Sequence, residues 1–306
     1  MMIAQDKLLQ RFTAYAQIET TSDDKSTTQP SALCEFDLAR YLVDELLELG
    51  LTEVEMTEYG YVLATLPANG ADSEPVIGLI AHMDTSCEAS GRNVQVQLHK
   101  NYDGTPIQLN AQDVLSPQEF PELLNYIGQD IITSDGTTLL GADDKAGICA
   151  IVSVCEYLLA HPEIKHGKIR LAFTPDEEIG TGISLFDVDL FGADFAYTLD
   201  GSTEGNLQYE NFNAASASFD IHGVSVHPGS AKDTMINACL IAMEINNLLP
   251  SQETPRDTAG YEGFYHLVHI AGDCGSAHMD YIIRDHDNTE FQNRKNHQGV
   301  IAFMAA

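Results

Sequence analysis

The chain has 306 residues with 44% hydrophobic and 20% charged residues, a composition that excludes an intrinsically disordered or collagen-like protein. It contains 15 Lys and Arg residues against 46 Asp and Glu residues, which gives a formal net charge of −31 at pH 7. Such an acidic surface repels phosphate groups, so the charge argues against nucleic acids and membranes as partners.

The first half of the chain alternates helix and strand patterns. Apolar residues at helical spacing predict one helix from Leu9 to Ala16 and a second that ends at Gly50, a typical C-cap residue. A further helix follows Gly147. Short apolar runs predict three buried strands: 75–81, 168–174 and 195–199. Strands that alternate with helices need crossover connections, so we expect an α/β fold with a mostly parallel sheet.

The pattern changes near residue 210. Small or apolar residues alternate with polar ones over 215–221, which predicts a strand, and two more strands are predicted at 264–270 and 279–283. Between them lies a predicted helix that stops at Pro250 and has these residues on one face: Ile236, Cys239, Leu240 and Met243. The sequence therefore predicts two domains, a catalytic-type α/β domain over 1–209 and a smaller α+β domain over 210–306.

The cysteines and the apolar stretches predict a cytoplasmic protein. The six cysteines show no Cys-x-x-Cys spacing and are expected to be reduced thiols: Cys34, Cys87, Cys149, Cys155, Cys239 and Cys274. No segment approaches the roughly 20 apolar residues that span a bilayer. Polar residues precede the first long apolar run, which is unlike a secretory signal.

Four polar motifs directly follow predicted strands. They are Ala-His-Met-Asp-Thr at 81–85, Gly-Ala-Asp-Asp-Lys-Ala-Gly at 141–147, Thr-Pro-Asp-Glu-Glu-Ile-Gly at 174–180, and Thr-Leu-Asp-Gly at 198–201. In an open α/β sheet the carboxyl ends of the strands converge on the ligand crevice. We therefore expect one imidazole and several carboxylates to gather at one edge of the sheet.

A divalent metal would neutralise such carboxylates, and a His-plus-carboxylate ligand set suits Zn, Mn or Co. Each motif taken alone has a simpler interpretation. A single histidine after a strand is usually structural, Asp-Asp-Lys before a helix is usually an N-cap, and the other two are ordinary acidic turns. Four such motifs in order, each at a strand end, favour a metal site.

At this point the chain resembles a known family, the M20 metallopeptidases, and within them the aminotripeptidases. The likeness covers nearly all of the chain. Besides the four motifs it includes these segments: Tyr-Glu-Asn-Phe-Asn-Ala-Ala at 209–215, Val-His-Pro-Gly at 226–229, Gly-Tyr-Glu-Gly-Phe-Tyr-His at 260–266 and Tyr-Ile-Ile-Arg-Asp at 281–285. The resemblance implies a zinc-peptidase domain with a smaller lid domain that also dimerises in relatives.

The resemblance implies two zinc ions per subunit. His82, Asp143 and Asp200 would bind the first ion. Asp143 would bridge to a second ion, which Glu178 would also hold. The expected substrate is a tripeptide, and a homodimer is the expected assembly.

The resemblance also implies roles for residues that do not bind metal. Asp84 would orient and polarise His82, and Glu177 would be the general base that activates the attacking water. On the smaller domain, His227 would stabilise the tetrahedral oxyanion, and Arg284 would bind a substrate carboxylate. Simpler interpretations stay open, since His227 precedes Pro228 in a turn and Arg284 has acidic neighbours, Asp285 and Asp287.

The chain departs from the family pattern at its C-terminal end. In the family a second histidine ligand lies in a C-terminal segment that returns to the catalytic domain. The segment 297–306 does not resemble that continuation, and the expected motif surrounds none of His278, His286 and His297. We therefore expect a C-terminally truncated catalytic domain and an incomplete second zinc site.

Three functions follow from these observations. The first is a zinc aminopeptidase that removes the N-terminal residue from tripeptides. The second is a non-catalytic remnant of such an enzyme that binds metal or dimerises, because the chain lacks the C-terminal ligand. The third keeps the enzyme class but changes the substrate to dipeptides or acyl-amino acids. The first is the prediction carried forward.

Overall fold

The computed structural model describes residues 3–70, 73–201 and 205–305, with side chains described up to residue 297. The chain divides into two compact units, Met1–Glu204 and Gly205–Ala306. We call them unit 1 and unit 2. The domain boundary predicted after residue 209 lies a few residues beyond this division.

Unit 1 contains the helices α1 (Gln5–Gln17), α2 (Glu35–Leu49), α3 (Ala142–Ala160) and α4 (Val188–Phe191). Its strands are β1 (Thr52–Met56), β2 (Val62–Leu66), β3 (Ile77–His82), β4 (Gln97–His99), β5 (Ile107–Gln108), β6 (Val114–Leu115), β7 (Ile131–Thr133), β8 (Ile169–Thr174) and β9 (Phe195–Thr198). The helices and strands predicted in this half are all present.

The main sheet of unit 1 has five strands in the order β1-β2-β8-β3-β9. Strands β8, β3 and β9 run parallel to one another, whereas β1 and β2 are antiparallel to their neighbours. The predicted α/β class is confirmed. The sheet is mixed because β1 and β2 form a hairpin, which the sequence analysis did not identify. Two small two-stranded sheets, β4-β7 and β5-β6, lie between β3 and α3 along the chain.

Helix α2 shows how the sequence sets the packing of unit 1. Leu38, Leu42 and Leu46 recur every four residues, so they share one face, and all three are buried in the core. Gly50 ends the helix in a left-handed conformation (φ 88°), which a glycine adopts without a steric penalty. Its N–H donates to the carbonyl groups of Leu46 and Leu47.

The main sheet separates a large core from a small one. Alternate residues of a strand point to opposite faces. Phe173 therefore joins the large core with residues of α1, α2 and α3, whereas its neighbour Ala172 packs with Phe191 of α4 on the other face. The long helices thus cover one face of the sheet.

Unit 2 has the order β10 (Asn213–His222), α5 (Ala238–Leu248), β11 (Phe264–Gly272), β12 (Ser276–Asp285) and α6 (Asn288–Ala305). The three strands form an antiparallel sheet in the order β10-β12-β11. Both helices contact this sheet. The predicted α+β character is confirmed, although α6 was not predicted.

One prediction for unit 2 is wrong. Ile236 precedes α5, and the predicted apolar face of that helix, with Leu240 and Met243, is exposed. The buried face instead carries Ala238, Ala242 and Ile245, which pack in the core of unit 2. Small alanine side chains let the helix lie close to the sheet, and the helix has apolar residues on both faces, so periodicity alone did not identify the packed face.

The structure also shows the state of the cysteines and the apolar character of the helices. All six cysteines are free thiols. Among the described residues, no helix combines the length and the apolar character that crossing a membrane requires.

Two leucines of α2 give a matched test of the packing. Leu42 is 0% exposed and Leu47 is 55% exposed. We expect Leu42→Ala to lower the free energy of unfolding by about 2–5 kcal/mol, since it leaves a cavity in the core. Leu47→Ala is expected to change it by no more than about 0.5 kcal/mol. Urea denaturation followed by circular dichroism measures both, and equal losses would contradict this packing.

Candidate metal centre

The predicted site lies at the carboxyl ends of three neighbouring parallel strands. β3 is the middle strand, and its last residue, His82, pairs with Thr174 of β8, while Ile80 pairs with Thr198 of β9. The residues that follow these strands therefore leave the sheet at the same edge. Helix α3, which contacts β3, brings its N-terminal residues to this edge as well.

Three side chains meet at this edge: His82, Asp143 and Asp200. The Nε2 atom of His82 lies 3.0 Å from Asp143 Oδ1 and 3.9 Å from Asp200 Oδ2. One potential ligand atom from each residue falls within 4.8 Å of the others. The imidazole is buried, whereas the two carboxylates are partly open to solvent. The structure thus brings together three of the four predicted metal ligands.

Asp84 sets the orientation of the His82 ring. The Nδ1 atom of His82 lies 3.0 Å from the Asp84 carbonyl oxygen and 3.3 Å from Asp84 Oδ1. A proton on Nδ1 can be donated to Asp84, so Nε2 is the ring nitrogen that faces Asp143 and Asp200 and that would bind a metal ion after losing its proton. This is the arrangement by which a carboxylate commonly fixes the tautomer of a metal-binding histidine.

The same Asp84 carboxylate also holds the turn after β8. Its Oδ1 accepts the backbone N–H of Glu177 at 3.0 Å, and its Oδ2 accepts the backbone N–H of Glu178 at 3.1 Å. A carboxylate in low-dielectric surroundings needs such donors because it has lost its water. One buried side chain therefore links the end of β3 to the turn that carries both glutamates.

The two glutamates occupy different positions. Glu177 Oε2 lies 3.9 Å from His82 Nε2, on the side of the ring that faces Asp143 and Asp200. Glu178, the fourth predicted ligand, is outside the group of three donors. Partial burial, followed by the negative charge of Asp143, raises the pKa of the Glu178 carboxyl. Glu178 therefore lies within electrostatic range of Asp143.

The electrostatics of the site favour a cation. Burial disfavours a charged imidazole, but hydrogen bonding and charge from Asp84, together with Asp144 and Asp143, more than offset it and raise the pKa of His82 to about 10. Burial also raises the pKa values of the Glu177 and Asp200 carboxyls, and neighbouring carboxylates add to this effect. A His-and-carboxylate donor set that concentrates negative charge fits a divalent metal ion.

The two aspartates of the 141–147 motif make different contacts. Asp143 faces His82 Nε2, whereas Asp144 Oδ1 accepts the N–H of Gly147 at 3.1 Å, in the manner of a helix N-cap. Asp144 Oδ2 also accepts the backbone N–H of His82 at 3.2 Å. The sequence analysis did not assign Asp144 to the site, although its three-residue spacing from Gly147 is a capping signal.

Gly147 is needed for this arrangement. A Cβ atom at residue 147 would lie 2.0 Å from the backbone oxygen of Leu199 and 2.3 Å from Asp144 Oδ1. Only glycine permits that approach. Gly147 thus allows α3 to pack directly against the segment that leads to Asp200.

His227 and Arg284 belong to unit 2. His227 lies in a turn, and its Nδ1 accepts the backbone N–H of Gly229 at 3.1 Å. The Arg284 guanidinium stacks on Phe212, 4.4 Å from the ring centroid. Among the described residues Arg284 forms no ion pair with a carboxylate, so the simpler interpretation of a salt bridge is wrong. Asp285 instead pairs with Arg294 at 2.7 Å.

Comparison with known proteins shows high similarity to proteins named peptidase T. The chain is 54% identical over 299 residues to peptidase T of Listeria welshimeri, covering 97% of this chain and 73% of that protein. It is 55% identical over 293 residues to peptidase T of an Exiguobacterium species, covering 95% of this chain and 71% of that protein. Residues 209–302 match a family described as a peptidase dimerisation domain.

Solved structures of similar fold include two close in shape. Aminopeptidase PepT from Bacillus cereus has a TM-score of 0.72 at 21% identity, covering 100% of this chain and 73% of that one. A tripeptidase from Staphylococcus aureus has a TM-score of 0.72 at 22% identity, covering 99% of this chain and 72% of that one. YXEP from Bacillus subtilis, described as a dinuclear metal-binding peptidase of the M20 family, has a TM-score of 0.58 at 14% identity, covering 98% of this chain and 69% of that one. These similarities show the fold.

The Asp84 contacts generate a test that needs no substrate. We expect Asp84→Asn to lower the free energy of unfolding by about 1–3 kcal/mol, because an amide –NH₂ group cannot accept a backbone N–H. Urea denaturation in the presence of a chelator measures the loss without a metal contribution. The exposed Glu88, changed to Gln, is the control and should be neutral. An unchanged stability for Asp84→Asn would contradict the two hydrogen bonds.

Proposed function

Since the chain belongs to the peptidase T family of the M20 metallopeptidases, we propose that it is a metal-dependent aminopeptidase that releases the N-terminal residue of tripeptides. The observation that carries this proposal is the meeting of His82, Asp143 and Asp200 at one sheet edge, with Glu177 beside them. The Staphylococcus aureus relative in fold is named a tripeptidase, which supports the substrate length.

We propose zinc as the metal, with His82, Asp143 and Asp200 holding one ion and Asp143 and Glu178 contributing to a second. The ligand set has nitrogen and oxygen donors and no thiolate, which suits Zn²⁺ and also Co²⁺ or Mn²⁺. Bound there, a divalent ion supplies Lewis acidity and lowers the pKa of a coordinated water. The description of the YXEP protein as dinuclear supports two ions.

Glu177 is the proposed general base. It lies on the metal-binding side of the His82 ring, and its raised pKa brings its proton affinity nearer to that of a group that exchanges protons at neutral pH. It would accept a proton from the attacking water and give it to the leaving amine. Asp84 holds both His82 and the Glu177 backbone, so it would align the base with the donor set.

His227 and Arg284 are proposed to bind substrate. Because His227 Nδ1 accepts the Gly229 N–H, the neutral ring carries its proton on Nε2, which is a donor suited to an oxyanion. Arg284 is half-buried, and its guanidinium stacks on Phe212 without a carboxylate ion pair among the described residues. A planar guanidinium free of other anions is suited to the substrate carboxylate.

We propose a homodimer formed through unit 2. The dimerisation-domain match covers residues 209–302, and α5 in that range exposes Leu240 and Met243. Leu240 and Met243 are three residues apart in α5, so they form an exposed apolar stripe on one face of this helix. Apolar stripes of this kind commonly mark protein–protein interfaces.

The proposed location is the cytoplasm. Six free cysteines, of which Cys87 is exposed, are typical of a reducing compartment. Small-peptide hydrolysis in that compartment would serve peptide catabolism.

The enzymatic proposal is tested with tripeptide substrates. The purified chain, loaded with Zn²⁺ or Co²⁺, is expected to release the N-terminal residue, and a chelator is expected to abolish turnover. Glu177→Gln should lower kcat by about 10²- to 10⁴-fold, because the amide cannot accept the proton, while the bound metal stays unchanged. Amino-acid release and elemental analysis measure the two quantities.

Glu163→Gln, an exposed acid after α3, serves as the control and should keep full activity. Activity of Glu177→Gln within threefold of the parent would contradict the base assignment. Stoichiometric metal without turnover in the parent would favour the non-catalytic alternative. Faster cleavage of dipeptides or acyl-amino acids would keep the enzyme class and change the substrate.

The dimer proposal predicts a mass in solution twice that of one chain, measured by light scattering coupled to gel filtration. Leu240→Asp places a charge in the exposed apolar stripe of α5 and should give the monomer mass. Leu47→Asp in α2 is the matched control, since its leucine is 55% exposed against 62% for Leu240. A parent that is monomeric, or a Leu240→Asp variant that stays dimeric, would contradict this interface.

A further inference from the structure

Unit 1 also contains two buried acidic residues, Glu35 and Asp176, which the proposed mechanism does not use. Glu35 is the first residue of α2 and is 1% exposed, and Asp176 is 0% exposed. The two residues are 141 positions apart in the sequence. Buried carboxyl groups are rare unless they are paired or hydrogen-bonded.

Glu35 connects two segments of the chain. Its Oε1 accepts the Ser31 hydroxyl at 3.2 Å and the Ala32 backbone N–H at 3.1 Å. Its Oε2 accepts the backbone N–H of Asp176 at 3.2 Å. Glu35 thus joins the loop before α2 to the turn after β8.

Hydrogen bonds hold both the side chain and the backbone of Asp176. Both of its carboxylate oxygens accept the Ser31 backbone N–H, at 2.9 and 3.0 Å, and its carbonyl oxygen accepts the Thr181 N–H at 3.1 Å. Its backbone has a positive φ of 59°, which is unfavourable for a residue other than glycine. The contacts from Ser31 and Glu35 hold this conformation, which turns the chain towards Glu177.

The pair is also electrostatically unusual. Burial, followed by the charges of Asp176 and Asp84, raises the pKa of the Glu35 carboxyl to about 9, although the Ala32 N–H opposes this. The start of α2 also favours a negative charge, but this effect does not reverse the shift. A Glu35 carboxyl with this pKa keeps its proton at neutral pH.

We propose that Glu35 is a positioning residue whose hydrogen bond from the Asp176 backbone N–H holds the turn that places Glu177 and Glu178 at the metal centre. This inference rests on the function proposed above. Asp84 holds the same turn from the side of β3, so the turn has two buried supports, one on β3 and one on α2. Glu35 touches neither the substrate nor any of the three clustered donors.

The test compares three variants of the full chain. Glu35→Gln keeps one of the two accepting oxygens and replaces the other with an NH₂ group, Glu35→Ala removes both oxygens, and Asp37→Ala removes an acid from the same helical turn. Asp37 is the control because its side chain is 65% exposed and pairs with Arg40. Each variant is assayed for kcat and KM on a tripeptide, and the backbone N–H exchange of residues 175–180 is followed by mass spectrometry.

Glu35→Ala is expected to lower kcat by about 10-fold or more with KM within threefold, since a small misplacement of reacting groups costs rate. Its 175–180 N–H groups should exchange faster. Asp37→Ala should stay within threefold in kcat and keep the parent exchange rates. Glu35→Gln keeps one accepting oxygen, so its kcat and exchange rates should fall between those of Asp37→Ala and Glu35→Ala. The proposal is overturned if Glu35→Ala matches Asp37→Ala in both measurements.

A second measurement needs neither activity nor the alanine variant. The folded-state pKa of Glu35 is raised from 4.5 to about 9, so between these values the folded protein keeps a proton that the unfolded chain releases. The contribution of Glu35 to the free energy of unfolding therefore falls as the pH rises through that window. The Tm of Glu35→Gln, minus that of the parent, should increase from pH 5 to pH 8.5.

A constant Tm difference across that range would overturn the buried contact. These readouts also separate the two proposals. If the parent has no tripeptidase activity, the proposed function is wrong, and the N–H exchange and Tm measurements still show whether Glu35 supports the turn. If the parent is active and Glu35→Ala has the same kcat and exchange rates as the parent, only the positioning role of Glu35 is contradicted.

Discussion

The arrangement at the sheet edge depends on one buried carboxylate, that of Asp84. It faces His82 Nδ1 on one side and receives the N–H groups of Glu177 and Glu178 on the other. These contacts decide which ring nitrogen of His82 faces the cluster and where the acidic turn begins. The remaining parts of the site follow from strand order, because β8, β3 and β9 end side by side. A metal-binding histidine without such a partner would be free to rotate or to change tautomer.

The distribution of the few cations explains why the cluster stays negative. Arg11 pairs with Glu45 at 2.8 Å and Glu156 at 3.0 Å, so its charge joins α1 to α2 and α3. Lys145 lies within the acidic motif itself, yet its Nζ donates to the Ile18 carbonyl at 2.7 Å, and burial lowers its pKa to about 8. Neither of these two buried cations pairs with a carboxylate of the cluster, so the cluster stays negative.

Much of this could be predicted from the sequence, and the exceptions have physical causes. His82 and Asp200 were predictable because they lie at the ends of parallel strands, which meet at one edge of the sheet. Asp143 reaches this edge at the N-terminal end of α3 and not from a strand, although its motif was predicted to follow one. The β1-β2 hairpin and the packed face of α5 were not predictable, since short strands and helices with apolar residues on both faces give weak periodicity. The contact between Glu35 and Asp176 leaves no local pattern, because only the folded chain brings together residues 141 positions apart.

The wide separation of the clustered donors has a consequence for biosynthesis. They come from positions 82, 143 and 200, so a nascent chain emerging from the ribosome holds only part of the set until β9 has been made and has docked beside β3. Earlier intermediates offer an ion one or two scattered side chains, which bind weakly. Because metal affinity appears only with the assembled sheet, capture of an ion would report that the first two hundred residues have folded together.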